Sequence, residues 1–207
     1  MRRGDTVLSC AAIMETNRLE AFSDGVLAII ITIMVLELRP PHGGAWAELQ
    51  PLLPKFLAYA LSFVFIGIYW NNHHHMLHAT DEIRGGVLWA NLHMLFWVSL
   101  VPFVTAWMGE NPKASGPAAL YGVVMLMSAV GYKILQESIL ACKGRNPRLR
   151  AAIGSDTKGY VSLALYVAAV ALAFYQHWIA DAIYVTVALI WLAPDRRIER
   201  ALDRERV

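Results

Sequence analysis

The feature that most constrains this chain is its series of long apolar stretches, beginning with RLEAFSDGVLAIIITIMVLEL at residues 18–38. A helix that crosses a bilayer needs about 20 mostly apolar residues, because each residue advances the helix by only about 1.5 Å. Six stretches meet or approach that requirement: 19–38, 55–78, 87–108, 117–141, 160–175 and 179–193. Residues that break or start helices mark their ends. Arg39-Pro40-Pro41 closes the first, and Pro51 and Pro54 open the second. Gly85-Gly86 opens the third, Pro117 stands in the first turn of the fourth, Gly159 opens the fifth and Pro194 ends the sixth. Pro102 predicts a kink in the third. The last two stretches are short and predict a tight hairpin around Gln176-His177-Trp178.

Composition supports the same class. The chain is 57% hydrophobic and 16% charged, against about 45–50% and about 25% in soluble domains. An all-α membrane protein with six transmembrane helices follows, with no room for a separate soluble domain. The formal net charge of +2 is too small to imply a nucleic-acid partner. The two cysteines, Cys10 and Cys142, do not make a disulfide framework.

Orientation follows from the loops. Lys143, Arg145, Arg148, Arg150 and Lys158 cluster between helices 4 and 5, and Arg196, Arg197, Arg200, Arg204 and Arg206 crowd the C-terminal segment. Arg39 stands alone after helix 1 and Lys113 alone after helix 3. Cytoplasmic loops are those rich in Lys and Arg, so both termini are expected in the cytoplasm. Three regions result: a dispensable cytoplasmic segment over 1–17, a six-helix membrane domain over 18–194 and a charged, solvated helical tail over 195–207. Met14 stands directly before ETNRLEAFSD, and translation is expected to start there, with residues 1–13 a misassigned or dispensable extension.

Helix 1 poses the functional question. Ser23 and Asp24 lie about one turn inside an apolar run, where ionisable groups face protein or water instead of lipid. At about 100° per residue, Gly25, Ala28, Ile29, Thr32 and Leu36 share one face, and Ser23 points roughly opposite to Gly25. The polar base is expected to dock against Trp70–His78 (WNNHHHMLH) and Trp89–His93 (WANLH), with Trp70, His74, His78, Asn91 and His93 as partners. Asp24 then serves as a functional group, as a structural lock or as both, and the Ile29 face is left either to meet other copies of the chain or, as apolar stripes of membrane helices more often do, to face lipid or pack on another helix.

The histidines admit a metal reading. His74 and His78 are i, i+4 on one helix face, a ligand-compatible spacing, and His73, His75 and His93 fall at the same level. A histidine-box membrane metalloenzyme is the rival function, opposed by the small number of histidines and the absence of a helical Glu-x-x-His. No metal site, cofactor or enzymatic activity is expected. A secondary transporter, which needs repeats or broken helices near the midplane, is the third reading. Lys133 and Glu137 predict an i, i+4 ion pair reaching the membrane interface.

Arg18-x-x-x-Phe22-Ser23-Asp24, the following GVLAIIITIMVLEL, the YWNNHHHMLH run and the segment from Asn91-Leu92 to Pro102-Phe103 together resemble the lysosomal potassium channel family, transmembrane protein 175 and its bacterial relatives. Vertebrate members carry two six-helix repeats and dimerise, so one repeat implies a homotetramer with helix 1 from each subunit lining a central pore. The resemblance assigns Ile29 to a narrow hydrophobic constriction, Thr32 to a hydroxyl layer and Leu36 to the outer mouth. Gly25 and Ala28 complete the lining, Ala28 standing where some relatives carry serine. Arg18, Phe22, Ser23 and Asp24 match the motif that fixes helix 1 against helices 2 and 3. The chain lacks a TVGYG-like carbonyl filter, so selectivity among monovalent cations is expected to be modest. The implied partners are potassium and related cations, the lipid bilayer and the chain itself, in a bacterial inner membrane.

Overall fold

Apolar residues run almost unbroken through 19–36, and the first helix, α1, forms over Thr16–Leu36. The structure, a computed structural model, describes residues 16–78, 83–142 and 156–192, with His78 and Cys142 described by backbone alone. The expected start at Met14, the basic cluster over 143–150, the end of the last helix at Pro194 and the C-terminal tail lie outside the described residues.

The remaining helices are α2 (Leu53–His78), α3 (Gly85–Ser99), α4 (Val101–Glu110), α5 (Ser115–Cys142), α6 (Thr157–Ala173) and α7 (His177–Leu192). All regular elements among the described residues are helical apart from an isolated bridge at Ile83. A short 3-10 helix, Trp46–Leu52, precedes α2 and buries none of its residues. It holds Pro51, so the two prolines divide their work: Pro51 sits in the 3-10 turn and Pro54 in the first turn of α2.

Helices α3 and α4 form one apolar stretch, Gly85–Glu110, interrupted at Leu100. The Leu100 N–H bonds the Trp97 and Val98 carbonyls, tightening the turn before Pro102. Proline offers no N–H and its ring crowds the preceding turn, which accounts for the break at this point.

Among the described residues four stretches are long and apolar enough to cross a membrane: Thr16–Leu36, Trp46–Leu77, Gly85–Glu110 and Ser115–Ala141. Helix α6 is apolar but has 17 residues, while α7 runs apolar to Leu192, where the described residues end. At about 1.5 Å per residue α6 reaches only about 25 Å, short of a hydrocarbon core about 30 Å thick.

Helix α5 is the hub, packing on α3, α4, α6 and α7, while α1 lies on α2, α3 and α4. Close approach needs glycine at two places. A Cβ at Gly131 would stand 2.9 Å from the Met94 Cα of α3, and one at Gly109 would stand 2.8 Å from the Lys55 Cα. Buried hydroxyls tie the bundle internally. Ser62 Oγ lies 2.7 Å from Thr105 Oγ1 and 3.1 Å from the Tyr121 hydroxyl, linking α2, α4 and α5. Tyr184 donates to the Ala118 carbonyl at 2.8 Å, tying α7 to α5.

The start of α6 differs from the glycine signal in the sequence. Asp156 caps the helix by accepting from the Gly159 N–H at 3.0 Å, so α6 begins at Thr157 and Gly159 is inside its first turn. The same carboxylate accepts from Lys133 Nζ at 2.9 Å. The Lys133–Glu137 pair is present at 3.3 Å, but Lys133 also pins α5 to the cap of α6.

The glycine requirement is testable. Gly131→Val is expected to lower stability by about 1–3 kcal/mol through overpacking, read as a lower melting temperature in detergent. Gly67→Ala, with nothing within 4 Å of the added carbon, is expected to leave it nearly unchanged.

Candidate functional site

Helix α1 has two unlike sides. Leu19, Ser23, Leu27, Ile30 and Met34 are buried against the bundle. Gly25, Ala28, Ile29, Thr32 and Leu36 are exposed on the subunit, Ile29 by 58% and Leu36 by 77%. Among the described residues nothing covers the aliphatic stripe.

The buried side is fixed at its base by a directed hydrogen-bond chain. His73 Nε2 donates to Asn91 Oδ1 at 2.8 Å, Asn91 Nδ2 donates to Ser23 Oγ at 3.0 Å, and Ser23 Oγ donates to the Leu19 carbonyl at 2.9 Å. His73, Asn91 and Ser23 are completely inaccessible. One residue from each of α1, α2 and α3 thus shares a single polar thread. Beside it, Trp70 Nε1 donates to Asp24 Oδ1 at 3.1 Å, and Glu20 Oε1 lies 2.7 Å from His74 Nδ1. The Trp70 and His74 rings stack with centroids 6.0 Å apart.

The expected docking of the polar base therefore occurs through Ser23, Asp24, Trp70, His74 and Asn91. Other assignments need correction or addition. Arg18 and Phe22 do not fix α1 against its neighbours: both are exposed, Phe22 by 52%. Phe22 and Arg18 precede Ile29 by seven and eleven residues, steps that bring a helix back to within about 20°, so both fall on the Ile29 side, away from Ser23. His93 is not a partner of the α1 base; it accepts from Trp97 Nε1 at 3.2 Å within α3, and its Nδ1 lies beside Gly131 of α5. The side chain of His78 is outside the described residues. His73 and Glu20 are the participants the sequence reading passed over. His73 was legible as the next step of the buried α2 stripe Ser62, Ile66 and Tyr69.

The histidines do not converge. His73 turns to Asn91, His74 to Glu20 and His93 to Trp97. Among the described residues no group of three His, Cys, Asp or Glu side chains could hold a metal ion.

A chain with long apolar helices and a polar thread at the base of an otherwise aliphatic first helix belongs to the class of multi-pass membrane proteins. Residues 18–102 match the model of a family described as endosomal/lysosomal potassium channel TMEM175. A potassium channel of a Chryseobacterium species is 54% identical over 189 residues, covering 91% of this chain and 98% of that one. The crystal structure of a lysosomal potassium-selective channel TMEM175 homolog from Chamaesiphon minutus superposes with a TM-score of 0.74 at 31% identity, covering 86% of this chain and 96% of that one. The human endosomal/lysosomal proton channel TMEM175 is 33% identical over 96 residues, 40% of this chain and 19% of that protein. The chain belongs to the TMEM175 family, whose members are ion channels and not enzymes. The histidine-box alternative is thereby set aside.

The thread can be tested by a double-mutant cycle. Ser23→Ala and Asn91→Ala are each expected to destabilise the protein, and the double variant to cost less than their sum by about 0.6–1.7 kcal/mol, the range for hydrogen bonds between membrane helices. Denaturant unfolding in detergent micelles reads the cycle.

Proposed function

We propose that this chain forms a potassium-permeable cation channel of the bacterial inner membrane. Four subunits, each crossing six times with both termini in the cytoplasm, place α1 around a central path. The observation that carries this reading is the uncovered stripe of Gly25, Ala28, Ile29, Thr32 and Leu36 on a helix whose opposite side is pinned to the bundle. Membership in a channel family supports it.

Each residue has a physical task. Four Ile29 side chains around an axis form a ring narrow and apolar enough to expel water and stop ions. A small widening admits water and a partly hydrated cation. Thr32, one turn further out, donates its proton to the Ile29 carbonyl at 2.8 Å. Its oxygen lone pairs then remain free to replace a few of the waters an ion sheds. Leu36 lines the outer mouth, and Gly25 and Ala28 keep the inner end wide. The stripe carries no acidic side chain, so the ion is held weakly and monovalent cations are separated only modestly. Arg18 and Phe22, on the same side at the cytoplasmic end, meet neighbouring subunits, while Ser23 and Asp24 support the pore from behind through Asn91 and Trp70.

Flux through liposomes carrying a potassium gradient tests the gate. Ile29→Asn is expected to raise the leak about tenfold or more, the equivalent of about 1.4 kcal/mol off the barrier. Potassium flux identical to wild type in a folded Ile29→Asn protein would remove Ile29 from this role, and saturable, gradient-coupled uptake would favour a transporter.

A further inference from the structure

Beside α1, two further stretches carry exposed aromatic rings at a fixed spacing. On α2, Phe56, Phe63 and Trp70 stand seven residues apart, with Ala60 and Gly67 between them. Along the α3–α4 stretch, Trp89, Phe96 and Phe103 stand seven residues apart, and Ser99 and Ala106 follow the last two by three. All six rings are exposed on the subunit, by 45–75%. The small residues leave gaps in each row. A Cβ added at Gly67 would meet nothing within 4 Å. Ser99 donates its hydroxyl proton to the Phe96 carbonyl at 2.7 Å, so its position offers space and not a bond. Trp70, at one end of the α2 row, bonds Asp24, so this row runs beside the helix whose exposed stripe is assigned to the pore.

The two rows match level by level. Contacts within the subunit set the scale: His73 bonds Asn91, and a Cβ at Gly109 would stand 2.8 Å from the Lys55 Cα. Helix α2 therefore runs antiparallel to α3–α4, each residue advancing about 1.5 Å. Counted from the His73–Asn91 bond, Gly67 is level with Phe96, Ala60 with Phe103 and Ser99 with Phe63, each within about 3 Å. In every pair a ring faces a small residue. Both rows are exposed, so they do not meet within one subunit. Copies inserted in one orientation are related by an axis along the membrane normal, which keeps every residue at its level. Seven-residue spacing suits a knobs-into-holes helix pair, and small residues let membrane helices approach closely. Fluid acyl chains make no such demand on spacing. Six half-free rings, each about 150–250 Å² when whole, supply with the residues beside them about 1,000 Å², the area at which specific interfaces begin.

We propose that the α2 row of each subunit docks on the α3–α4 row of the next copy of this chain. Phe96 and Phe103 enter the gaps at Gly67 and Ala60, and Phe63 enters the gap at Ser99. The contact joins two different surfaces, so repeating it around the axis closes a ring. The docking rests on the four-subunit reading above and names the surface that holds those subunits together.

Cysteine cross-linking of the full-length protein in liposomes tests it, with Cys10→Ser and Cys142→Ser in every variant. Gly67→Cys/Ser99→Cys keeps all six rings and sets one thiol on each row at nearly the same level. A short, membrane-permeant bis-maleimide is expected to convert it to a ladder reaching the covalent tetramer on denaturing gels. Gly67→Cys/Trp107→Cys, about 15 Å apart in level, is expected to give no ladder. Light scattering in detergent reads assembly: Gly67→Trp fills a gap and is expected to lower the tetramer fraction about tenfold, whereas Gly67→Ala leaves room and keeps it. Circular dichroism checks folding; if Gly67→Trp does not fold, Ser99→Trp takes its place. A tetramer in which the matched pair gives no ladder, or in which both pairs give equal ladders, would overturn the docking and leave the pore reading standing. A wild type that runs as a single subunit would overturn both.

Discussion

The architecture depends on the thread from His73 through Asn91 to Ser23. Polar groups in a membrane interior are costly unless satisfied, and along this thread each donor meets an acceptor, although His73 Nδ1 itself finds no partner among the described residues. The amide of Asn91 does both jobs, accepting from α2 and donating to α1. Rotating α1 by one residue would move Ser23 about 100° away and leave Asn91 without its acceptor. The thread thus fixes the rotation of α1 as well as its position. Which side chains stand on the exposed side follows from that: Ile29, Thr32 and Leu36 are outward because Ser23 is inward.

The division of labour along α1 matters for function. Aliphatic packing of Leu27, Ile30 and Met34 against α2, α3 and α4 resists separation from the bundle but specifies rotation weakly, since one aliphatic side chain substitutes readily for another. Hydrogen bonds at one end supply the missing specificity. A helix held in this way can present an apolar, ion-free surface along most of its length while its orientation is set at one end.

Much of this was legible in the sequence. The apolar lengths and the breakers gave the helices within a few residues, and Pro102 marked the break near Leu100. The polar base of α1 pointed to Trp70 and Asn91 because all fall at one level of the membrane. Other features were hidden by particular residues. The i, i+4 pair His74 and His78 drew attention to metal chemistry, although the buried rhythm of α2 singles out His73. Arg18 and Phe22 were grouped with Ser23 and Asp24 as one motif, yet helical geometry divides that motif between two faces. Gly159 looked like a helix opener, but its role is to let the Asp156 carboxylate close over the first turn: a Cβ there would stand 2.5 Å from Asp156 Oδ1. The 3-10 helix Trp46–Leu52 carries no strong local signal.

The shortness of α6 has a consequence for the surrounding lipid. It packs on α5 and α7. In the six-crossing arrangement proposed above, a segment about 5 Å shorter than the hydrocarbon layer draws the bilayer inward around it, at a cost of fractions of a kcal/mol for each ångström of mismatch. The side of the subunit carrying α6 is then strained more in thick membranes than in thin ones, and the composition of the host bilayer, through its thickness alone, presses on the protein's conformation.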